Sequence, residues 1–303
     1  MPMNPPQNDD SYSRRNAIHI RPNLLMGQRF LTSRPILEKI IDAAGLSKDD
    51  TALEIGPGTG ALTIELAKKA GRVIAVEKDK KLFELLELRL KRLGIANVRL
   101  ILGDILKLVE NSERETMSGK QDRLAPLVHC SLLTDSYKVV ANIPYYLTSR
   151  LIRIFLESEN QPAEMFLMVQ KEVAERIIAK PPRMNLLALS VQAYAEPEIM
   201  FGVPRHAFSP TPRVDSAFIR FKKISRSFFD KNGIEPDRFF RIVRAGFRAK
   251  RKTLANNLEE YLGDKKTAKM LLKKCAIDPG ARAETLSLEN WAILAREADT
   301  ASQ

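Results

Sequence analysis

Asn142-Ile143-Pro144-Tyr145 sets an amide oxygen, a carbonyl, a rigid turn and an aromatic face in four consecutive residues. An exocyclic amine of adenine is a poor nucleophile because its lone pair is delocalised into the ring. The Asn142 side-chain oxygen and the Ile143 carbonyl can each accept a hydrogen bond from such an amine. Together they hold its lone pair toward an electrophile. Pro144 stiffens the turn, and Tyr145 offers a surface on which the base stacks. No strong general base is needed, since the proton becomes acidic once the nitrogen is alkylated. Positioning and electrostatics carry the rate. A simple proline turn after a strand uses the same residues, so the tetrapeptide takes its meaning from what stands beside it.

A second constellation supplies that context. Residues 51 to 60, Thr-Ala-Leu-Glu-Ile-Gly-Pro-Gly-Thr-Gly, run from an apolar strand into a turn bearing Gly56, Gly58 and Gly60. A helix-like segment starts at Ala61. Glycines let the backbone approach a ligand closely, and the helix start offers unpaired N–H groups. Glu77 follows Gly56 by twenty-one residues, at the end of the next apolar run, where a carboxylate can accept both hydroxyls of a ribose. A dinucleotide and the nucleoside of S-adenosylmethionine both satisfy this much. The glycines run Gly-x-Gly-x-Gly, however, one residue shorter than the fingerprint that carries a pyrophosphate to a helix N-terminus. Asp104, after a third strand, can hydrogen-bond an adenine amino group. Both features lean toward S-adenosylmethionine, and Asn142-Ile-Pro-Tyr145 decides for it.

These groups need a scaffold that brings strand ends together. An amphipathic helix over Ile36, Leu37, Ile40 and Ile41 is stopped by Gly45. Strands are predicted at 51–55, 72–77, 98–102, 137–141, 165–169, 199–204 and 216–222. Helices are predicted after the glycine loop to about Ala70, from Asp79, over Leu147 to Leu156, over Gln170 to Ala179 and over Leu186 to Tyr194. Such alternation predicts an α/β fold, a mostly parallel sheet of seven strands with helices on both faces. Ligands in such sheets sit at the carboxyl ends of the strands, where Glu77, Asp104, Asn142 and the glycine loop all fall. Phe208-Ser-Pro-Thr-Pro-Arg-Val214 reads as a rigid loop held by prolines. Residues 109–136 are polar and aperiodic, a long loop or an added helix. Beyond about Ile224 only helices are expected, over 239–249, 254–261, 265–275 and near Trp291. The expected division is a flexible tail at 1–20, a methyl-transfer domain at 21–223 and a basic helical domain at 224–303.

The chain of 303 residues carries a net charge of +12 and a pI near 9.7. A basic surface suggests nucleic acid or an anionic membrane as partner. Between Arg241 and Lys274, eleven Lys and Arg face only Glu259, Glu260 and Asp264, a surplus of eight positive charges in 34 residues. Arg248, Lys250, Arg251 and Lys252 form its centre. A solvated helical face would look similar, but beside a base-modifying site phosphate contacts to RNA are the preferred reading. Cys130 and Cys275 lie far apart, and His19, His129 and His206 show no ligand spacing, so neither a disulfide framework nor a metal is expected. No signal segment and no membrane-length apolar run is evident, which points to a cytoplasmic protein.

Taken together, the motifs resemble the rRNA adenine N6,N6-dimethyltransferases of the KsgA type, related to the erythromycin-resistance methyltransferases. The likeness covers roughly residues 22–262. It rests on Gly27-Gln-Arg-Phe-Leu31, Glu54 to Gly60, Val76-Glu-Lys-Asp79, Gly103-Asp104, Asn142 to Tyr145, Val169 to Arg176, Phe208 to Ser216 and Phe247 to Leu258. The resemblance implies a Rossmann-like class I methyltransferase sheet with a small C-terminal helical domain. It implies that Leu31, Gly56, Glu77, Asp104 and Asn142 hold S-adenosylmethionine, with Gly58 in the same loop and Arg29 at a cofactor-touching position usually occupied by His or Asn. Asn142, Pro144 and Tyr145 would form the adenine pocket. Phe208 would pack the flipped base from its other face, although it reads equally as a core aromatic. Asn23 and Leu24 stand where lysine is usual, Arg150 replaces a usual proline, and the 109–136 segment is longer than usual. The implied substrate is a pair of adjacent adenines near the 3′ end of small-subunit rRNA, in an immature subunit, acted on by a monomer. An RNA-binding assembly factor with dispensable catalysis, a large-subunit methyltransferase conferring drug resistance and, more distantly, a nicotinamide dehydrogenase are the alternatives.

Overall fold

The computed structural model describes residues 28–108 and 136–300. The expected N-terminal tail, the departures at Asn23 and Leu24, and all but the last residue of the 109–136 segment lie outside the described residues.

Seven strands form one sheet in the order β4-β3-β2-β5-β6-β9-β7. They are β2 (Thr51–Ile55), β3 (Arg72–Glu77), β4 (Val98–Leu102), β5 (Tyr137–Asn142), β6 (Glu164–Gln170), β7 (Glu196–Val203) and β9 (Ser216–Lys222). Only β9 opposes its neighbours, pairing antiparallel with both β6 and β7. The chain steps from β2 outward to β4 and then back to β5 on the other side of β2. That reversal leaves a crevice at the carboxyl ends of β2 and β5.

Side chains alternate between two cores, as strand geometry dictates. Val139, Met165 and Leu167 face one cluster, while Val140, Phe166 and Met168 face the other. The second face is covered by α1 (Arg34–Ala44) and α2 (Ala61–Lys69) through Ile40, Ile41, Leu62 and Leu66. α3 (Lys80–Arg92) follows β3 because Asp79 accepts from the N–H groups of Lys81 and Leu82, and because Leu82, Leu86 and Leu90 share one buried face. On the first face lie α4 (Thr148–Glu157), α5 (Lys171–Ile177) and α6 (Leu186–Gln192).

Every element after Lys222 is helical: α7 (Ser227–Asn232), α8 (Pro236–Gly246), α9 (Leu254–Leu262), α10 (Lys265–Lys274) and α11 (Leu288–Thr300), with a short 3-10 turn at Ala283–Thr285. The first-face core continues without a break into them through Phe229, Phe239 and Trp291. α8 stops at Gly246, three residues earlier than predicted, where a Cβ would meet the Trp291 ring at 2.3 Å.

Two short strands escaped the sequence reading. β1 (Phe30–Leu31) and β8 (Phe208–Ser209) pair antiparallel, Phe30 opposite Ser209 and Leu31 opposite Phe208. The proline loop therefore begins as a strand, and two residues on each side are too few to show a period.

Candidate active site

The expected donor residues and the Asn142 tetrapeptide line one cavity at the carboxyl ends of β2, β3, β4 and β5. Gly56, Gly58, Glu77, Asp104, Arg29, Leu31, Asn142, Pro144 and Tyr145 all face it. Its floor is the glycine turn. Gly56, Gly58 and Gly60 all adopt positive φ, and a Cβ on Gly60 would stand 2.2 Å from Leu86 Cδ1 on α3. Only glycine satisfies both demands at that position.

Glu77 holds the turn in place. One carboxylate oxygen accepts from Gly58 N at 3.0 Å and the other from Asp79 N at 2.8 Å. Burial still pushes its pKa up, against the pull of those backbone donors. Asp104 accepts from Lys78 Nζ at 2.8 Å and from Leu106 N at 3.1 Å, which fixes its carboxylate at the rim. That ion pair in turn raises the Lys78 pKa.

Glu54 is the site residue that sequence reasoning passed over. It occupies the last position but one of β2, is 2% exposed and lines the cavity. Burial pushes its pKa up to about 8, with the charge of Glu77 adding to the shift, while Thr63 beside it pulls the other way. Its Oε2 atom has no hydrogen-bond partner among the described residues. The available signal was an acid set between Leu53 and Ile55 in an otherwise apolar strand.

On the opposite wall, Asn142 Nδ2 donates to the Arg29 carbonyl at 3.1 Å. The amide is thereby oriented, with Oδ1 left as the acceptor. Pro144, at φ −57°, leads into a 3-10 turn at Tyr145–Leu147. The Tyr145 hydroxyl and Ser216 Oγ are 2.8 Å apart, and Ser216 is fully buried between β6 and β7. Tyr146, 62% exposed, stands at the cavity mouth.

Phe208 sits in the core rather than at the cavity. It is 2% exposed and packs in the second-face core, in the cluster of Val203, Phe218 and Ile41, and it does not line the cavity. Its pairing with Leu31 sets the main chain beside the site while the ring fills the core. Of the two readings open for this residue, this conformation matches the core aromatic. Arg29 lines the cavity, and its Nη1 donates to the carbonyls of Pro210 and Thr211, at 3.2 and 3.4 Å.

The basic turn after α8 does not line the cavity. Lys250, Arg251 and Lys252 are exposed there, and Arg248 pairs with Glu260. Buried Asn257 shapes this turn, donating to the carbonyls of Gly246 and Ala249 at 2.6 and 3.1 Å. Among the described residues no group of His, Cys, Asp and Glu could hold a metal ion, and no helix is long and apolar enough to cross a membrane.

Comparison with known proteins shows which family the chain belongs to. The profile of the family described as Ribosomal RNA adenine dimethylase matches residues 21–300. The chain belongs to this family. It is an rRNA adenine dimethyltransferase, and its methyl donor is S-adenosylmethionine. It is 46% identical over 273 residues to Ribosomal RNA small subunit methyltransferase A of Dehalococcoides mccartyi (strain CBDB1), covering 90% of this chain and 87% of that protein. A solved dimethyladenosine transferase from Plasmodium falciparum superposes with a TM-score of 0.74 at 26% identity, covering 90% of this chain and 98% of that one. The 23S rRNA methyltransferase ErmE shares the fold, at TM-score 0.65 and 24% identity, covering 89% and 99%.

The cavity suits a dimethylase cofactor that bears a positive sulfur and an ammonium. Its glycine floor admits close approach, Glu77 and Asp104 line it, and Glu54 Oε2 is a buried polar atom with no hydrogen-bond partner among the described residues.

Proposed function

We propose that this enzyme dimethylates N6 of two adjacent adenines near the 3′ end of small-subunit rRNA, acting as a cytoplasmic monomer on the immature subunit. The observation that carries the acceptor assignment is the oriented amide of Asn142, whose Nδ2 is committed to the Arg29 carbonyl beside the donor cavity. The small-subunit target is supported by the printed name of the D. mccartyi relative.

In this reading Gly56, Gly58, Leu31, Glu77, Asp104, Asn142 and the Arg29 main chain hold the cofactor, with Glu54 beneath. The bound cofactor supplies an electrophilic methyl group on a positively charged sulfur. Asn142 Oδ1 and the Ile143 carbonyl accept the two hydrogens of the adenine amine and turn its lone pair toward that methyl. Pro144 keeps the two acceptors in register, and the Tyr145 ring stacks the base. The proton leaves to solvent after the nitrogen is alkylated, so these side chains act by placement. Phe208 packs the second face of the flipped base once its ring leaves the core, and exposed Tyr146 stands at the mouth the base enters by. The helical part from residue 224 serves as the RNA-binding domain, where Lys250, Arg251 and Lys252 contact phosphates and Arg248 joins them on release from Glu260.

Methylation of immature small subunits with labelled cofactor tests the proposal. Dimethyladenosine at two neighbouring positions is expected. Its absence, under conditions where the cofactor binds, overturns the assignment.

A further inference from the structure

We propose that the Arg29 side chain is a positioning residue for the acceptor, latching the proline loop to the wall that carries Asn142. This proposal rests on the acceptor reading of Asn142 given above.

The β1–β8 ladder extends beyond its two paired residues. At one end Thr32 N and Thr32 Oγ1 both donate to the Ala207 carbonyl, at 2.9 and 3.1 Å. At the other end the register of Phe30 with Ser209 sets Arg29 opposite Pro210. Proline has no N–H, so Pro210 cannot donate a main-chain bond there. The Arg29 guanidinium takes over, with Nη1 donating to the carbonyls of Pro210 and Thr211 at 3.2 and 3.4 Å. Its planar fork suits two neighbouring carbonyls where a lysine ammonium presents only a point charge.

The same residue acts at its main chain. The Arg29 carbonyl accepts from Asn142 Nδ2 at 3.1 Å, the contact that orients the catalytic amide. A shift of Arg29 therefore moves the loop after Phe208 and the acceptor amide together. Nη1 is committed to the proline loop, while the glycine turn has its own tether in Glu77. Loss of the guanidinium frees one edge of the acceptor wall and leaves the donor floor held.

The test compares Arg29→Ala and Arg29→Lys with the wild type on immature small subunits, measuring cofactor Kd by calorimetry and kcat and KM with labelled cofactor. The expected result for Arg29→Ala is a fall of about tenfold in kcat/KM for RNA with cofactor Kd within about threefold. Arg29→Lys is expected to recover part of the loss. A rise in cofactor Kd of about tenfold with kcat unchanged assigns the side chain to the donor and overturns the proposal. Unchanged kcat, KM and Kd overturn it as well. If Arg29→Ala fails to fold and binds no cofactor, Arg29→Lys decides by the same split between Kd and kcat/KM. A wild type that forms no dimethyladenosine would instead remove the acceptor reading itself, which keeps the two failures apart.

Discussion

The donor and acceptor halves of this site are held together in opposite ways. The donor half closes on itself within one β-α-β unit. Glu77 bonds Gly58 nineteen residues away and Asp79 two residues away. The acceptor half is tied by contacts between distant parts of the chain. Asn142 reaches Arg29 across 113 residues, Tyr145 reaches Ser216 across 71, and Arg29 reaches Pro210 across 181. The glycine turn is thus held by local structure alone. Presenting an amine to a methyl group requires the assembled sheet, and substitutions should separate the two halves.

The largest separation is expected at Asn142. Asn142→Ala removes the oriented acceptor, and loss of one such preorganised group lowers kcat by about 10²–10³-fold. Cofactor affinity should fall far less, because the glycine turn and Glu77 remain. Single-turnover methylation and calorimetry on the same preparation check this. Equal loss of both quantities would dissolve the distinction between the halves.

The donor half breaks from within. Gly60→Ala combines a φ of +83° with a Cβ placed 2.2 Å from Leu86 Cδ1, and an expected destabilisation of about 2–3 kcal/mol follows. Gly56→Ala has a similar φ of +67° but no atom within 4 Å of its Cβ. It should therefore lose only the conformational part, about 1 kcal/mol. Urea midpoints measured side by side separate steric from conformational demand. Equal shifts would show that the packing against α3 is softer than the distances imply.

The same contrast sets what could be read from the chain. The donor half was legible because each part is a local pattern: an apolar run, a glycine turn, then acids at the next strand ends. The direction of β9 was not legible, since strand propensity carries no direction and only its pairing with β6 and β7 reverses it. The β1–β8 pair was hidden because Phe30–Leu31 and Phe208–Ser209 are too short for periodicity, and Pro210 and Pro212 marked a loop. Phe208 read equally as core or stacking surface, because an aromatic beside prolines has the same composition in either place. Ser216 looked like an ordinary strand residue, and only assembly brings it to Tyr145.

Glu54 gives the donor half a pH signature. Its folded pKa is raised from 4.5 to about 8 by burial. Between those values the folded protein keeps a proton that the unfolded chain has released, so stability falls as pH rises and levels off above about 8. The slope from this one group is at most about 1.4 kcal/mol per pH unit. Denaturation of the cofactor-free protein should show this slope, and Glu54→Gln should remove it and gain most near pH 8. A cationic ligand beside the carboxylate favours its charged form, so saturating cofactor should flatten the wild-type profile. Identical wild-type and Glu54→Gln profiles would mean that the carboxyl is solvated and already ionised.

The smallest effect expected probes the long-range tether of Tyr145. Its hydroxyl and Ser216 Oγ form one hydrogen bond, and such a bond contributes about 1 kcal/mol net, equivalent to roughly fivefold in rate. Tyr145→Phe keeps the stacking ring and loses the tether, and Ser216→Ala loses the same tether from the other side. If orientation of the ring is what the bond supplies, each substitution lowers kcat/KM for RNA by a similar factor and leaves cofactor Kd unchanged. Tyr145→Phe strands the fully buried Ser216 hydroxyl, whereas Ser216→Ala strands that of the half-buried Tyr145, so Tyr145→Phe should be the more destabilising of the two. The double variant should lose no more than the single ones, because the second change has no bond left to remove. Additive losses would show that Tyr145 and Ser216 act separately. The acceptor wall would then depend on the Arg29 contacts alone, and the distance in sequence between its parts would matter less than the number of strands they join.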